Sequence, residues 1–289
     1  MSVLHNLPQT RIKIGIAKLL YRGTALFLRD PRRRITRSGI RFEVDLTEGI
    51  DLSLFLFGNF QRHVARNRFV GLAEDAVVFD VGANAGVMTL QFAQAVPRGR
   101  VYAFEPTHYA FAKLQTNLGL NPALAARVTA SQVFVSSRSA SVPALQAFAS
   151  WKVDGSGGER HPVHLGTVQS TENVGSITVD DFVAARGLHR LDFVKIDTDG
   201  HELEVLKGAV ETLRRFRPAV IFEIGLYVML ERGIGFAEYE EYFGALGYRI
   251  LDGKTGRPIT SRNHRSLIPA QGTLDALALP SPEAPGKER

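Results

Sequence analysis

The sequence predicts an α/β protein with a doubly wound, mostly parallel sheet. One observation is a short apolar run at residues 76–79 that enters a glycine-bearing turn at 80–86 (DVGANAG) and continues into a helical pattern at 87–93. The other is a second apolar run, residues 101–104, which ends at Glu105. A strand, a tight loop, a helix and a second strand in this order are typical of the first half of such a sheet.

The turn at 80–86 is the first candidate for cofactor binding. Its glycines allow the backbone to approach a ligand without a Cβ atom in the way, and the helix behind it offers unpaired N–H groups. Gly86 is expected where this helix and the strand pack most closely. An acid at the end of the second strand can accept hydrogen bonds from the hydroxyl groups of a ribose. We therefore predict that Asp80, Gly82, Gly86 and Glu105 bind a cofactor.

The spacing of the glycines bears on the identity of the cofactor. A dinucleotide fingerprint has the pattern G-x-G-x-x-G, and Asn84 stands where its second glycine would let a pyrophosphate lie against the backbone. S-adenosylmethionine has no phosphate groups. It needs a close backbone for its methionine portion, an acid for its ribose and an apolar slot for its adenine. The turn and Glu105 match these needs better than they match those of NAD(P).

Charge is distributed unevenly along the chain. Residues 1–41 contain ten Lys and Arg and one acid, a net charge of +9, so the rest of the chain carries −3 of the total of +6. We predict a basic amphipathic N-terminal arm, residues 1–38, that either packs on the domain or touches an anionic membrane surface or partner. The mildly acidic body argues against a nucleic-acid groove over the catalytic face.

Two absences narrow the class of protein. The chain has no cysteine, which excludes disulfides and thiolate catalysis and is compatible with a reducing compartment. It has no apolar run of about 18 residues, so no membrane span is predicted. We expect a cytoplasmic protein, with peripheral contact at the inner face of a membrane as an open alternative.

Residues 39–279 form the predicted catalytic domain. In the first half of this domain we expect a strand at 39–46, a helical layer at 51–72, a helix at 109–118 and a strand at 128–135. Ser136 ends that last strand, where it either contacts an adenine or is a plain turn residue. The pattern then dissolves at 138–176, a variable loop or hairpin region. Three residues of this region are candidate substrate contacts, each with a purely structural or solvated alternative: Trp151, His161 and His164.

Alternating helices and strands resume in the second half of the chain. The expected elements are a helix at 180–186, strands at 191–196 and 219–222 around a helix at 203–216, a helix at 236–246, and strands at 248–251 and 274–279. The tail at 280–289 is rich in proline and charge, which is typical of disorder.

Polar residues follow the expected strands at 191–196 and 219–222. Asp197 and His201 are the candidate proton acceptors, and histidine is the better base near neutral pH unless it is a solvated first-turn residue. Asp199 is expected to cap the next helix, with Glu202 completing a capping box. Asp199 and Glu223 are also candidate substrate contacts. Asp197, Asp199 and His201 together offer ligands for a divalent ion, but their spacing is loose and we predict no metal.

Four motifs in this order resemble the FkbM-type methyltransferases, over residues 40–279. They are residues 80–86 (DVGANAG), 104–106 (FEP), 178–182 (TVDDF) and 193–209 (FVKIDTDGHELEVLKGA). The resemblance implies a class I methyltransferase fold with seven strands of which the last is reversed. It also implies S-adenosylmethionine as the cofactor, with Asp197 beside the transferred methyl group and the following cofactor residues: Asp80, Gly82, Ala83, Asn84, Gly86 and Glu105. The family usually has Gly-x-Tyr-Glu ahead of the cofactor strand, whereas residues 58–61 are GNFQ.

The resemblance implies O-methylation of a sugar, a glycan or glycolipid, or a secondary metabolite. Other classes stay open. An NAD(P)-dependent oxidoreductase would need the missing glycine, and base amino-methylases have an Asn/Asp-Pro-Pro-aromatic motif where residues 197–200 are DTDG. A catalytically silent binding module is the third alternative.

Overall fold

A computed structural model describes residues 30–58, 61–140, 147–149 and 167–282. The interpretations of the arm before residue 30, of Trp151, His161 and His164, and of the tail beyond 282 lie outside these residues and stay predictions. In the described part of the chain, no helix has the length and apolar character needed to cross a membrane.

The described chain opens with an N-terminal layer. A hairpin of β1 (Arg32–Arg37) and β2 (Ile40–Asp45) is followed by α1 (Gly49–Phe57) and the short α2 (Arg62–Ala65). The sequence suggested one helical layer over 51–72, but α1 ends at Gly58, whose φ of 71° lets its N–H bond back to Leu54. The Arg37 guanidinium also donates to Leu54 O, so the end of α1 is held by the hairpin.

The first half of the central fold alternates strands and helices as expected. Its elements are β3 (Val77–Val81), α3 (Val87–Ala95), β4 (Arg100–Phe104), α4 (His108–Gly119), α5 (Pro122–Ala125) and β5 (Val128–Ser131). The intervening region contains short strands, β6 (Phe134–Val135), β7 (Ala147–Ala149), β8 (Thr167–Gln169) and β9 (Ser176–Ile177).

The second half continues the alternation. Its elements are α6 (Val179–Ala185), β10 (Phe193–Ile196), α7 (Glu202–Lys207), α8 (Val210–Phe216), β11 (Ala219–Gly225), α9 (Leu226–Arg232), α10 (Phe236–Ala245), β12 (Tyr248–Asp252), α11 (His264–Leu267) and β13 (Thr273–Pro280). The expected single helix at 203–216 is broken at Gly208, where a Cβ atom would lie 2.2 Å from the Ser136 carbonyl oxygen.

The central sheet confirms the expected class I methyltransferase fold. Its seven strands lie in the order β12-β13-β11-β10-β3-β4-β5. Neighbours from β11 to β5 are parallel, and β13 runs antiparallel to both of its neighbours. Helices cover both faces, so the strands are buried on both sides and read as nearly continuous apolar runs. This order leaves the carboxyl ends of β4, β3, β10 and β11 along one edge.

Aromatic side chains pack between one face of the sheet and α6. Phe79, Phe104 and Phe182 are buried and meet edge to face, with ring centroids 4.7–5.6 Å apart. Such pairs contribute roughly 0.5–1.5 kcal/mol each beyond their buried area. Their position behind β3 and β4 makes the strands under the glycine turn a rigid support.

The expected strand at 128–135 is wrong in extent. β5 ends at Ser131, and Phe134 and Val135 pair in parallel with β9 in a separate two-stranded ladder. Both of these side chains are buried, which an alternating half-exposed strand does not allow. Ser136 therefore follows this ladder, where its N–H donates to Ile177 O, and does not stand at the carboxyl end of the third strand.

A buried ion cluster joins the N-terminal layer to the central fold. Lys113 of α4 lies 2.8 Å from Glu48 Oε2 and 2.6 Å from Asp51 Oδ2, and both acids are only 3% exposed. Burial alone would lower the pKa of Lys113, but the two carboxylates raise it above its ordinary value. The cluster fixes α1 against the helix that begins just after Glu105.

Lys113→Met should therefore lower the free energy of unfolding at pH 7 by about 3–5 kcal/mol, because two buried carboxylates lose their cation. The loss should shrink as the pH falls, because burial raises the pKa of Asp51 and its protonated form needs no cation. Lys207→Met is the control, since the Lys207–Glu204 pair is half exposed and should contribute no more than about 1 kcal/mol. Urea unfolding of both variants measures the difference. Equal effects would contradict a buried cluster.

Candidate active site

A buried lysine organises the edge where the strands end. Lys195 of β10 is 6% exposed, and its Nζ lies 3.2 Å from Asp80 Oδ1 and 3.6 Å from Asp197 Oδ2. It also donates to the Gly82 carbonyl oxygen at 2.7 Å. Burial alone would lower the pKa of Lys195, but the carboxylates raise it, so the group stays charged. Sequence reasoning missed this residue, although a lysine inside an apolar strand was the available signal.

Asp80 supports the turn and does not face a ligand. Its side chain is fully buried between Lys195 and Thr89, whose hydroxyl donates to Oδ2 at 2.6 Å. A carboxylate without any exposed surface cannot reach a cofactor in this structure. The expected direct contact of Asp80 is thus corrected to an indirect one.

Gly82 is required by a close approach between two strand ends. Its φ is +75°, and a Cβ atom there would lie 1.8 Å from the Asp197 carbonyl oxygen. The backbone N–H groups of Gly82 and Ala83 both donate to Phe104 O, at 3.0 and 2.9 Å. The glycine therefore makes room for the end of β10, which draws the turn and Asp197 together.

The rest of the turn is fixed by local contacts. Asn84 has a φ of +48°, and its Oδ1 accepts from the Ala85 N–H at 2.7 Å. Gly86 has a φ of +81° and packs against Leu114 of α4, where a Cβ would lie 2.4 Å from Leu114 Cδ1. The close packing expected at Gly86 is therefore with the second helix and not with the strand.

Glu105 closes the turn from the neighbouring strand. Its Oε2 accepts from the Asn84 N–H at 2.9 Å, and its Oε1 accepts from the Thr107 N–H and hydroxyl at 2.9 and 2.6 Å. Burial raises the pKa of Glu105, against the opposing effect of these donors. A carboxylate oxygen has two acceptor positions, and among the described residues Oε2 uses one. Glu105 therefore retains capacity for a further donor such as a ribose hydroxyl.

A second polar group stands beside Glu105 at the end of β5. Gln132 directly follows this strand, and its Nε2 lies 2.8 Å from His108 Nδ1. The His108 Nε2 lies 3.0 Å from Glu172 O, so the returning loop is tied to the same histidine. By the rule that predicted an adenine contact for Ser136, Gln132 is the residue at the correct strand end. Gln132 was not identified from the sequence, because the third strand was expected to end at residue 135.

Acidic side chains line the crevice beyond the turn. Burial, followed by the charges of Asp197 and Glu202, raises the pKa of Asp199 to about 8. Burial also raises the pKa of Asp197, and burial with the charges of Asp197 and Asp275 raises that of Glu223 well above its ordinary value. The Asp199 residue reaches solvent although protein surrounds it, as expected for a group inside an open crevice.

The expected capping role of Asp199 is wrong. His201 occupies the N-cap position of α7, two residues later, and Asp199 has a left-handed φ of +51°. Glu202 holds the turn instead: its Oε1 accepts from the Thr198 and Gly200 N–H groups at 2.8 and 3.2 Å. Asp199 is thereby left in the crevice and is not engaged at the helix end.

His201 is poorly placed to act as a base. Its Nε2 lies 2.9 Å from an Arg232 guanidinium nitrogen, so that lone pair accepts from Arg232. Burial and the neighbouring charge of Arg232 lower the pKa of His201 to about 4. A group this acidic in its protonated form is a weak proton acceptor near neutral pH. Throughout the described ranges, no cluster of three His, Asp or Glu residues has the geometry to hold a metal ion.

The residues of this site lie within a region of the chain that is similar to a known protein family. A model of the methyltransferase FkbM domain matches residues 80–250, which include the turn, Glu105, the acids after β10 and Glu223. The chain belongs to the FkbM methyltransferase family.

Relatives with assigned names match part of this FkbM chain. It is 30% identical over 152 residues to the 2-O-methyltransferase NoeI of Sinorhizobium fredii, covering 50% of this chain and 61% of NoeI. It is 28% identical over 141 residues to the hexuronic acid methyltransferase AglP of Haloferax volcanii, covering 49% of this chain and 53% of AglP. The matches thus span less than two thirds of either relative.

A solved structure of an FkbM methyltransferase from Methylobacillus flagellatus KT is also similar. It aligns with a TM-score of 0.47 and 18% identity, over 74% of this chain and 46% of that one.

Gly82→Ala tests the close approach of the turn to β10. Gly187→Ala is the matched control, because Gly187 has a similar φ of +57° and open space around its Cβ position. The control should cost about 1–2 kcal/mol for the left-handed backbone alone. Gly82→Ala should cost roughly 1–3 kcal/mol more, because the added atom overpacks against Asp197. Denaturant unfolding measures both, and equal losses would contradict the contact.

Proposed function

We propose that this FkbM-family chain transfers the methyl group of S-adenosylmethionine to a hydroxyl group of a sugar, a glycan or glycolipid, or a secondary metabolite. Family membership supports methyl transfer, and the name of one relative, a 2-O-methyltransferase, supports an oxygen as the acceptor atom. The name of a second relative, a hexuronic acid methyltransferase, supports a carbohydrate acceptor. The observation that carries the proposal is the acid-lined crevice beside a fixed glycine turn.

The charge of the crevice fits this cofactor. S-adenosylmethionine has a sulfonium and an ammonium group. Burial first, and neighbouring carboxyls second, raise the pKa values of Asp199 and Glu223; burial also raises that of Asp197, with Asp275 and Asp80 adding to the rise against the opposing effect of Lys195. Cationic groups of a ligand would relieve this repulsion. The phosphate groups of NAD(P) would increase it, as would the phosphate backbone of a nucleic acid. The site therefore favours methyl transfer over both alternatives.

Each part of the edge has a role in holding the cofactor. The backbone of the turn at 82–86 would lie along the methionine portion, and Glu105 would accept hydrogen bonds from the ribose. Gln132, at the end of β5, and His108, the first residue of α4 and its hydrogen-bond partner, would lie beside the adenine. When bound, the cofactor supplies an electrophilic methyl group for an in-line displacement, so alignment of the reactants is the main contribution of the protein.

The acids beyond the turn would orient the acceptor. Asp197 follows β10 and lies level with Glu223, which stands near the end of the neighbouring parallel strand β11, and their carboxyls lie in one electrostatic cluster. Carboxylates can accept hydrogen bonds from the hydroxyl groups of a sugar. The two acids therefore suit a substrate that is rich in hydroxyl groups. Cytoplasmic location and contact of the basic arm with a membrane remain proposals based on the sequence.

Titration calorimetry tests the cofactor. Wild-type protein should bind S-adenosylmethionine and not NAD. Glu105→Gln should weaken binding by about 1.5–3 kcal/mol, because the ribose loses a charged acceptor. Glu204→Gln, which changes a partly exposed acid at the start of α7, should leave the dissociation constant unchanged. Binding of NAD, or equal affinity in folded Glu105→Gln, would contradict the assignment.

Cofactor affinity should also depend on the ionisation of Asp199. With a pKa of about 8, this group is mostly neutral at pH 6.5 and mostly charged at pH 9. A cationic ligand prefers the charged form, so raising the pH through this range should favour wild type over Asp199→Asn. The amino group of the ligand titrates in the same range, so the informative quantity is the ratio of the two dissociation constants. A ratio that stays constant between pH 6.5 and 9 would refute the role of Asp199.

A further inference from the structure

A row of three carboxyl groups crosses neighbouring strands of the central sheet. Asp197 follows Ile196, which pairs with Phe222 of β11, so Asp197 lies level with Glu223. Glu223 in turn lies directly opposite Asp275 of β13. Side chains that are level on neighbouring strands point to the same face of a sheet. The three carboxyls therefore lie side by side at the edge where the parallel strands end.

The glycine turn continues this row on its other side. Val81 pairs with Ile196, and the Asp197 N–H donates to Val81 O at 3.1 Å, so Gly82 lies level with Asp197. Gly82 has no side chain, and the row is open where the methionine portion of the cofactor is proposed to lie. The carboxyl row is thus the part of the candidate active site that extends away from the cofactor.

Lys195 does not compensate the whole row. Its Nζ lies 3.2 Å from Asp80 Oδ1 and 3.6 Å from Asp197 Oδ2, so one ammonium group serves two carboxylates. Glu223, the middle member of the row, accepts a hydrogen bond from the neutral Thr273 hydroxyl at 2.7 Å. Among the described residues, the Glu223 carboxyl takes part in no ion pair.

The outer member of the row has a contact of its own. The His63 Nε2 of α2 lies 2.5 Å from Asp275 Oδ2. Even a protonated imidazole at this position would balance Asp275 and leave the charge of Glu223 uncompensated. Burial, followed by the charges of Asp197 and Asp275, raises the pKa of Glu223 well above its ordinary value, as expected for a carboxyl between two other acids.

The cofactor is too far away to supply the missing cation. Its proposed position is at the ends of β3 and β4, and its own carboxylate offsets one of its two positive charges. Neighbouring strands lie about 4.8 Å apart, so Glu223, two strands from β3, is roughly 10 Å from that position, and Asp275 is roughly 14 Å from it. Coulomb attraction falls with distance. A cation next to Glu223 therefore has to come from the acceptor.

We propose that the acceptor is an amino sugar, with an unacylated ammonium group beside the hydroxyl that is methylated. This inference rests on the methyl transfer proposed above and names the substrate class of the same site. The ammonium group lies against Glu223, and the hydroxyl faces the methyl donor between Gly82 and Asp197. A sugar that carries a carboxylate would add a negative charge to the row and is disfavoured.

The row also determines which acceptor atom reacts. Carboxylates stabilise the protonated form of an amine, and an ammonium nitrogen has no lone pair with which to attack the methyl group. The hydroxyl oxygen bonds to the methyl carbon instead, the carbon–sulfur bond breaks with its electron pair on sulfur, and the hydroxyl proton leaves to water. The product is therefore an O-methylated sugar with a free amine.

Equilibrium binding tests the charge preference without turnover. Calorimetry at pH 7 titrates the protein, saturated with S-adenosylhomocysteine, with methyl glycosides of glucosamine and galactosamine. Their N-acetylated forms, methyl glucoside, methyl galactoside and methyl glucuronide complete the panel. The amino glycosides should bind about 10–100-fold more tightly than the neutral ones, the range expected of one charged hydrogen bond, and the glucuronide most weakly. EDTA in every titration keeps divalent cations out of the row.

Glu223→Gln removes one charge from the row and retains an oxygen that can accept from Thr273. The preference for amino over neutral glycosides should fall by about tenfold or more in this variant. Glu204→Gln, at a partly exposed acid outside the row, should keep the preference of the wild type. Methylation assays with the same panel should follow the same order in kcat/KM, and mass spectrometry of the products should place the methyl group on oxygen.

Amino glycosides that bind no more tightly than neutral ones, or more weakly than the glucuronide, would overturn the proposal. A preference that survives Glu223→Gln would also overturn it, as would N-methylated products. If Glu223→Gln does not fold, the wild-type panel decides alone. Failure to bind S-adenosylhomocysteine would count against methyl transfer itself, whereas its binding without any preference for amino glycosides would count against the acceptor class alone.

Discussion

The site depends on one buried ammonium group. Lys195 holds the Gly82 carbonyl at 2.7 Å and lies between Asp80 and Asp197, so a single side chain joins the glycine turn to the end of β10. A buried lysine is stable only when its charge is compensated, and here the compensation comes from acids on two neighbouring strands. The position of Asp197 in the crevice and the path of the turn are thus consequences of the same interaction.

The remaining acids of the crevice do not stabilise the folded protein. An acid whose pKa is raised by folding destabilises the native state at pH values above its unfolded pKa, and Asp199 and Glu223 both belong to this class. Functional sites are where such groups concentrate. A ligand that brings positive charge would relieve the repulsion, which links the electrostatics of the crevice to a sulfonium cofactor.

Local patterns predicted the sheet, the turn and Glu105, because strand periodicity and glycine spacing are properties of short segments. They failed where the outcome depends on distant contacts. After β5, Phe134 and Val135 pair with Ser176 and Ile177, and Gly208 at the helix break lies against the Ser136 carbonyl, so both places involve residues far away in the sequence. The partnership of His63 with Asp275 spans 212 positions and leaves no local signal. Residue type alone favoured His201 as a base, because only the structure reveals the neighbouring Arg232 guanidinium.

The central claim is that the turn, Glu105 and the acids after β10 form one site for S-adenosylmethionine. A crystal structure with S-adenosylhomocysteine tests it most directly. The account predicts ribose hydroxyls within hydrogen-bonding distance of Glu105, adenine beside Gln132 and the sulfur atom at the crevice between Gly82 and Asp197. A ligand bound elsewhere, or one whose ribose does not contact Glu105, would contradict it.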